Sequence, residues 1–394
     1  MENFKKFKKQ RILNCMAEAD LSLLIGSLPQ NIFYCIDYQS VGQVLLAKVD
    51  TFSVFNPKGD LFSIVAGCSE VPTIIEQAPD VNIYAYGKFF FHLSRENEFN
   101  NQVKKTIDQA TSNSAEALKR AISETGIEKG RVGLDESRVR PAFWQDIIES
   151  FPNLEFMPAA DLFYRIRMIK HAEEIRRLER AAEIAEKSLY YVTSKIEPGM
   201  TEKEMANLYA SQIILQGGMP FFNVMTADYR SAFVDTINMN NPVKRGSVIR
   251  FDVGGDFRGY KADMSRTAVL GAPSAKVKEY YAAIRAGLEK GLAAARPGIA
   301  AAELFHVTLK ETQRGLPQFQ RHHVGHGIGL EIYDPPSIIP ENNIKLEAGM
   351  VLCLETPYYE PGWGGVQVED TILITNDGRR GLTKTSRDLV VIDA

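Results

Sequence analysis

The sequence predicts an α+β protein in two parts: a smaller α/β domain over residues 1–160 and a layered α+β domain over residues 161–394. Three observations predict it. Residues 1–160 alternate extended apolar runs with helical patterns. The remainder alternates amphipathic helix pairs with apolar runs that double back across glycine-rich turns. The 394 residues also suffice for more than one sizeable core.

The first part opens on a helical pattern over about Asn3–Glu18, followed by the short apolar run 19–27. Apolar runs at 31–38, 42–49, 51–66 and 82–87 read as further strands. The stretch Asn56-Pro57-Lys58-Gly59-Asp60 interrupts the third of these and signals a hairpin. A helix over Ser114–Thr125 precedes a buried strand at 131–136.

Residues 161–195 join the two parts. The segment 171–196 is rich in good helix formers, and Ile175, Leu178, Ala182, Ile184 and Leu189 recur at roughly helical spacing. Pro198-Gly199 stops this helix, and Thr201 with Glu204 forms a capping-box pattern for the next. A second helix pair spans about Ser274–Arg296 and Ala300–Arg314, closed by Pro297-Gly298 and by Gly315. In each half of this part, helices precede a strand pair bearing two carboxylates. This weak echo places the acidic residues between two related halves.

Asp252 and Asp263 flank the first glycine-rich turn. Paired residues of a hairpin have a constant index sum, so this pair centres a turn near Gly255–Gly259, where the glycines fall. Glu355 and Glu369 centre a second turn on Pro361-Gly362. Opposed side chains lie ~5 Å apart on one face. Like charges that close, in half-buried strands, are strongly destabilising unless protonated or metal-bound. Two divalent cations balance the carboxylates, and His326, in 325-GHGIGL-330, adds a nitrogen donor. The set suits Mn²⁺, Fe²⁺, Co²⁺ or Zn²⁺. Two such ions ~3.5–4 Å apart can hold a bridging hydroxide and polarise a carbonyl. Taken singly, each residue reads as a solvated strand charge, the reading given to Asp256 and Glu360 in the turns.

Composition excludes several classes. Net charge is −3, from 46 Lys/Arg against 49 Asp/Glu, which offers no basic face for nucleic acid. The N-terminus is basic but lacks the apolar stretch of a signal peptide. No apolar run approaches the ~20 residues that span a bilayer. Cys15, Cys35, Cys68 and Cys353 are scattered without a CxxC pair, which fits a reducing cytoplasm. Cys353 reads as a small buried hydrophobe.

The motifs resemble those of the creatinase/aminopeptidase P/prolidase family of pita-bread metalloenzymes, over nearly the whole chain. Residues 16–38 look like the start of that family's N-terminal domain. Residues 162–189 look like its interdomain junction and first catalytic helix. Runs 252–267, 325–330, 355–356 and 366–371 look like its metal motifs. The resemblance implies a pita-bread catalytic domain behind a creatinase-type N-terminal domain, and an Xaa-Pro dipeptidase-like or aminopeptidase P-like metallopeptidase. It implies two divalent ions per subunit, manganese foremost, with cobalt, iron or zinc as alternatives. Asp252 would bind one ion, Asp263 and Glu369 would bridge both, and His326 and Glu355 would bind the other. Glu355 would also shuttle a proton from the attacking water to the leaving amine. A small peptide or small amide is the expected substrate and a homodimer the expected assembly, in the cytoplasm, with no nucleic-acid or membrane partner.

Three positions depart from the peptidase pattern. The histidine expected seven residues after His326 is Tyr333, followed by Asp334. The histidine expected before the first ligand strand is Asp235. The arginine expected two residues before Glu369 is Gln367. Tyr333 can still donate from its phenol, and Asp235 can bind an amine or a guanidinium-like cation. Of His322 and His323, which precede the GHGIG loop, at least one is expected to line the pocket, a surface or supporting role being the alternative. His322 fits a frequent family position, so Asp235, Tyr333 and His322 are the expected substrate contacts, with Glu355, Tyr333 and His322 the catalytic set. The departures also frame an alternative: a non-peptidase enzyme on the same scaffold that cleaves a C–N or other bond of a small metabolite. A metal-free binding module ranks last, because all five ligands are present.

Tyr260 and Arg266, flanking Asp263, are expected to support it. His171 and His306 are expected to be structural residues on helices. Phe221, Phe222, Tyr229, Tyr358, Tyr359 and Trp363 cluster near the motifs, with core packing the default and a pocket wall the role of some. The aromatic run 89–92 could serve a dimer contact or pack, with packing the favoured reading.

Overall fold

The computed structural model describes residues 2–46, 48–59 and 62–393. It divides into two compact units, Met1–Arg167 and Met168–Ala394. The boundary expected at 160/161 falls at the start of a helix, Ala160–Met168, most of which belongs to the first unit.

The first unit has strands β1 (Leu21–Gly26), β2 (Phe52–Phe55), β3 (Phe62–Gly67), β4 (Asn82–Tyr86), β5 (Gly130–Leu134) and β6 (Leu154–Pro158). Its helices are α1 (Glu2–Glu18), α2 (Pro29–Ile36), α3 (Val41–Leu45), α4 (Val71–Gln77), α5 (Glu98–Asp108), α6 (Ser114–Ser123), α7 (Pro141–Ser150) and α8 (Ala160–Met168). The sheet order is β4-β3-β2-β1-β5-β6, with β1 antiparallel to β2 and parallel to β5. Leu23, Ile25, Val54, Val65, Leu118, Ile122, Val132 and Leu134 form its core.

Two expected strands are helices. Run 31–38 lies in α2 because Pro29 occupies its first turn, where a missing N–H costs nothing. Run 42–49 begins in α3 because the Ser40 side chain accepts from the Gln43 amide and caps it. β2 and β3 form the expected antiparallel pair. Of the expected turn 56–60, Asp60 lies outside the described residues, as do Leu61 of the run 51–66 and Ala47 of the run 42–49. In the aromatic run 89–92, Phe89 and Phe91 pack on each other with ring centroids 4.8 Å apart, while Phe90 is 85% exposed in an irregular segment after β4.

The second unit contains α9 (Ala172–Thr193), α10 (Glu202–Leu215), β7 (Met219–Ala227), β8 (Val248–Phe257) and β9 (Tyr260–Leu270). It continues with α11 (Ala275–Ala294), α12 (Ala301–Gly315), β10 (Gly325–Gly327), β11 (Val351–Glu355), β12 (Tyr358–Glu360) and β13 (Gly364–Val366). It closes with β14 (Glu369–Thr375), β15 (Gly378–Gly381) and β16 (Val390–Ile392). Both predicted helix starts carry capping boxes, Thr201 with Glu204 as expected, and His171 with Glu174. His171 is thus structural, as an N-cap.

The sheet runs β10-β11-β14-β9-β8-β7, with β15 on β14 and β16 on β9, while β12 and β13 pair separately. The first helix pair packs Ala181, Ala185, Met205 and Tyr209 against Ile249, Phe251, Val253, Ala262 and Met264. The second packs Ile284, Leu288, Leu304 and Phe305 against Leu352, Leu354, Ile372 and Ile374. Each helix pair therefore covers one hairpin, and the two hairpins meet where Glu369 of β14 pairs with Ser265 of β9. Side chains alternate along a strand. Apolar residues of β8, β9, β11 and β14 face the helices, so the intervening positions share the opposite face. Those positions are Arg250, Asp252, Asp263, Ser265, Cys353, Glu355, Glu369 and Thr371.

Candidate metal centre

The two hairpins bring their acids together differently. Glu355 and Glu369 are directly opposed across β11 and β14, and the same register continues through β12 and β13 around Gly362. Asp252 and Asp263 are not directly opposed: Asp252 faces Ser265, and Asp263 faces Gly254. The turn is the cause. β8 and β9 close at Phe257↔Tyr260 through Arg258 and Gly259, both with positive φ (53° and 88°), a primed two-residue turn. The turn centre thus lies later than the glycine run suggests, and the aspartates are diagonal neighbours on one face. Gly254 is also required there, because a Cβ would sit 2.0 Å from the Ala262 carbonyl oxygen.

Ligand-type atoms of Asp263, His326, Glu369 and Cys353 lie within 4.8 Å of one another, all on buried residues. His326 stands opposite Cys353 on β10. Its Nδ1–H donates to the Gly327 carbonyl at 3.0 Å, since a carbonyl can only accept. That fixes the tautomer and leaves the Nε2 lone pair 3.6 Å from Asp263 Oδ2. Cys353 is buried as expected, but beside the acids, with Sγ 3.3 Å from Thr371 Oγ1.

Asp252 and Glu355 flank this knot and are held by cations. Arg250 Nη1 is 2.9 Å from Asp252 Oδ2 and 2.9 Å from Gln367 Oε1. The arginine absent at 367 is therefore matched by a guanidinium from β8. Gln367 in turn approaches Glu355 Oε2 through Nε2 at 3.5 Å and accepts from the Tyr359 hydroxyl. Arg321 Nη2 lies 3.6 Å, and His323 Nδ1 3.2 Å, from Glu355 Oε1.

Burial raises the Asp252 carboxyl to about 6 against the pull of Arg250, with Glu355 adding repulsion. Burial and the neighbouring acids hold Asp263 and Glu369 well above the usual carboxylate range. Burial lowers His326 and takes His323 down to about 4, so both rings are neutral near pH 7. Asp263 Oδ1 and Glu369 Oε1 are buried with no hydrogen-bond partner. Acceptor oxygens in that state are costly unless protonated or bound to a cation. The donor set therefore fits divalent metal: carboxylate oxygens and one imidazole nitrogen, with lone pairs that nothing else satisfies.

All five expected ligands line one cavity of about 780 Å³. Phe221, Phe222, Val234, Ile237 and Ile332 supply apolar wall. Asp235 and Tyr333 line it too, Asp235 exposed and Tyr333 57% exposed, with the phenol ring 3.9 Å from the His326 ring. His322 does not line it. The backbone turns His322 outward and buries its neighbour His323, which meets Glu355 instead.

Two supporting roles are also corrected. Tyr260 and Arg266 lie on the other face from Asp263. The Tyr260 hydroxyl donates to Glu174, and Arg266 pairs with Asp370 and donates to the Glu369 carbonyl. Tyr358 and Trp363 pack edge-on against Tyr280, the default aromatic role, while Phe221 and Phe222 are pocket wall. Of the two histidines expected near the pocket, His323 is the one that reaches a residue lining it, Glu355; Arg250 and Arg321 were not expected there. Arg250 had a signal: it precedes Asp252 by two in an apolar strand, so both share a face. A buried ion pair, Lys170 with Asp334 at 3.8 Å, lies beside Tyr333.

Comparison with known proteins agrees. Residues 176–376 match the model of metallopeptidase family M24, and residues 8–169 match that of the creatinase/prolidase N-terminal domain. An Xaa-Pro dipeptidase of Pyrococcus horikoshii is 33% identical over 258 residues, 65% of this chain and 74% of that protein. Prolidase from Pyrococcus furiosus superposes with TM-score 0.76 at 25% identity, over 94% of this chain and 99% of that one. An Xaa-Pro dipeptidase from Bacillus anthracis has the same fold, with TM-score 0.82 at 24% identity, over 98% of this chain and 99% of that one.

Proposed function

We infer that this chain, which belongs to metallopeptidase family M24, is a metal-dependent dipeptidase that removes the N-terminal residue from short Xaa-Pro peptides. The observation that carries the reading is the knot of Asp263, His326 and Glu369, with two partnerless buried oxygens, in a cavity flanked by Asp252 and Glu355.

Asp252, Asp263, His326, Glu355 and Glu369 would hold two divalent ions. Manganese is the foremost candidate for an oxygen-rich set with one imidazole. When bound, such ions supply a water activated at neutral pH and polarisation of the scissile carbonyl. The chain's own residues do the rest. Glu355 takes a proton at a carboxylate oxygen and returns it to the leaving amine. Arg321 lies 3.6 Å and His323 Nδ1 3.2 Å from its Oε1, and Oε2 is near Gln367. Tyr333 donates from its phenol to oxygen charge developing on the substrate. Asp235, at the exposed edge, receives the substrate's ammonium group. The walls of Phe221, Phe222 and Ile237 suit an apolar ring such as proline. His322, outside the cavity, has no part in this scheme.

The four free cysteines, all buried, support a reducing cytoplasmic setting. The contiguous exposed run Phe89, Phe90 and Phe91 supports a homodimer.

A substrate panel on metal-loaded protein tests the reading. Xaa-Pro dipeptides should be cleaved faster than Xaa-Ala dipeptides, longer Xaa-Pro peptides and small amides. Preferred turnover of a non-peptide amide would instead favour a non-peptidase on this scaffold, the reading that Asp235 and Tyr333 also permit.

A further inference from the structure

The cavity mouth is formed in part by Val234, Asp235, Thr236 and Ile237, a short irregular segment. Two arginines grip its ends. Arg230 donates to the Ile237 carbonyl at 2.8 Å and is itself held by Glu202, which is fully buried. Arg250 donates from Nη2 to the Phe233 carbonyl at 2.7 Å. The anchors differ in kind. Glu202 is a purely structural carboxylate that also accepts from the Ala227 and Met239 amides. The anchor of Arg250 is Asp252, one of the five acids and imidazoles of the metal centre.

Arg250 is fully buried, and its two Nη groups are spent on different structures. Nη1 serves Asp252 and Gln367, and Nη2 serves the mouth segment. The Tyr359 ring lies 5.3 Å from the guanidinium carbon and limits its movement. A rigid planar fork transmits position between acceptors on its two sides, which a lysine ammonium cannot. A shift of the Asp252 carboxylate therefore displaces the Phe233 end of the segment, whereas the Ile237 end is held independently.

We propose that Arg250 is a positioning residue that makes the substrate wall at residues 233–237 responsive to the metal centre. Metal loading fixes Asp252, Asp252 fixes Arg250, and Arg250 holds Phe233 so that Asp235 and Val234 face the substrate. The proposal rests on the metal-centre assignment made above. It makes Arg250 a determinant of substrate affinity without contact to the substrate.

Hydrogen exchange on the full-length protein, chelated and manganese-loaded, tests it. In the wild type, loading should slow exchange of the 233–237 amides roughly tenfold, a local rather than global effect. In Arg250→Lys, which keeps the charge but cannot serve both sides, loading should leave these amides unchanged. Arg230→Lys should exchange faster throughout while keeping the metal response. Arg250→Lys should also raise KM about tenfold. Manganese uptake is followed separately by calorimetry. Uptake in the wild type without any response of 233–237 overturns the link alone, even where Arg250→Lys does not fold. No uptake at all overturns both the link and the dipeptidase reading. A full metal response in Arg250→Lys also overturns the link.

Discussion

Glu355 and Glu369 stand directly opposite each other across two antiparallel strands, with both side chains on the face turned away from the helices. Opposed carboxylates of this kind repel at close range, and Glu355 has a cationic neighbour in Arg321, 3.6 Å from Oε1. Glu369 has a buried oxygen without a partner. The pair is thus asymmetric: Glu355 is oriented from outside the knot, and Glu369 is committed to it. That asymmetry is consistent with the roles the family resemblance implies: proton transfer at Glu355, with Glu369 among the residues that would hold the ions.

Glu355→Gln should reduce turnover by about 10²–10⁴, the usual contribution of a positioned acid–base group. Glu369→Gln should instead empty the centre. Metal content measured beside kcat separates the two. Equal metal loss in both variants would remove the distinction.

Tyr333→Phe keeps the ring over His326 and deletes the phenol donor. A drop of about 10²-fold in kcat, with metal content unchanged, is expected if the hydroxyl stabilises developing oxygen charge. An unchanged kcat would limit Tyr333 to packing on His326.

Much of this site was legible in the sequence because strand alternation is a strong constraint. Four acids at alternating positions in otherwise apolar strands had to share a buried face, and the Gly362 turn fixed the Glu355–Glu369 register. The Asp252–Asp263 register was off because the glycine run spreads over several residues, whereas the actual turn uses Arg258 and Gly259. Arg258 adopts a left-handed conformation that its identity does not advertise. In the first unit, α2 and α3 read as strands because their apolar content outweighed Pro29 and the Ser40 cap. Arg321 escaped notice, and His322 rather than His323 was favoured, because the irregular segment before Gly325 has no periodicity to say which side chains turn inward. The aromatic run 89–92 was favoured as packing over a dimer contact; Phe89 and Phe91 pack on each other, but the irregular backbone leaves Phe90 in solvent.

Stability of the metal-free protein should fall as pH rises. Asp252, raised to about 6, along with Asp263 and Glu369, binds protons more tightly when folded than when unfolded. Such groups contribute stability that is full below the unfolded carboxylate pKa and is lost as pH rises through the folded one. Manganese takes the place of those protons, so its stabilisation should grow over the same range. Thermal melts at pH 5, 6, 7 and 8 should show Tm of the chelated protein declining and the gap to the loaded protein widening. A gap independent of pH would contradict this.

Gly254→Ala should cost about 1–3 kcal/mol, the range for forcing atoms into a filled space. The new methyl would meet the Ala262 carbonyl between Asp252 and Asp263, so manganese affinity should fall as well. Urea denaturation and calorimetry on the same variant check both. A stable variant with normal affinity would show that β8 and β9 can separate there without disturbing the acids.

The most direct measurement is cleavage of an Xaa-Pro dipeptide as manganese is titrated into chelated protein. The account predicts no turnover without metal, then activity rising to a plateau near two equivalents per chain. Turnover that is unaffected by chelation, or none at any manganese or cobalt loading, would contradict it.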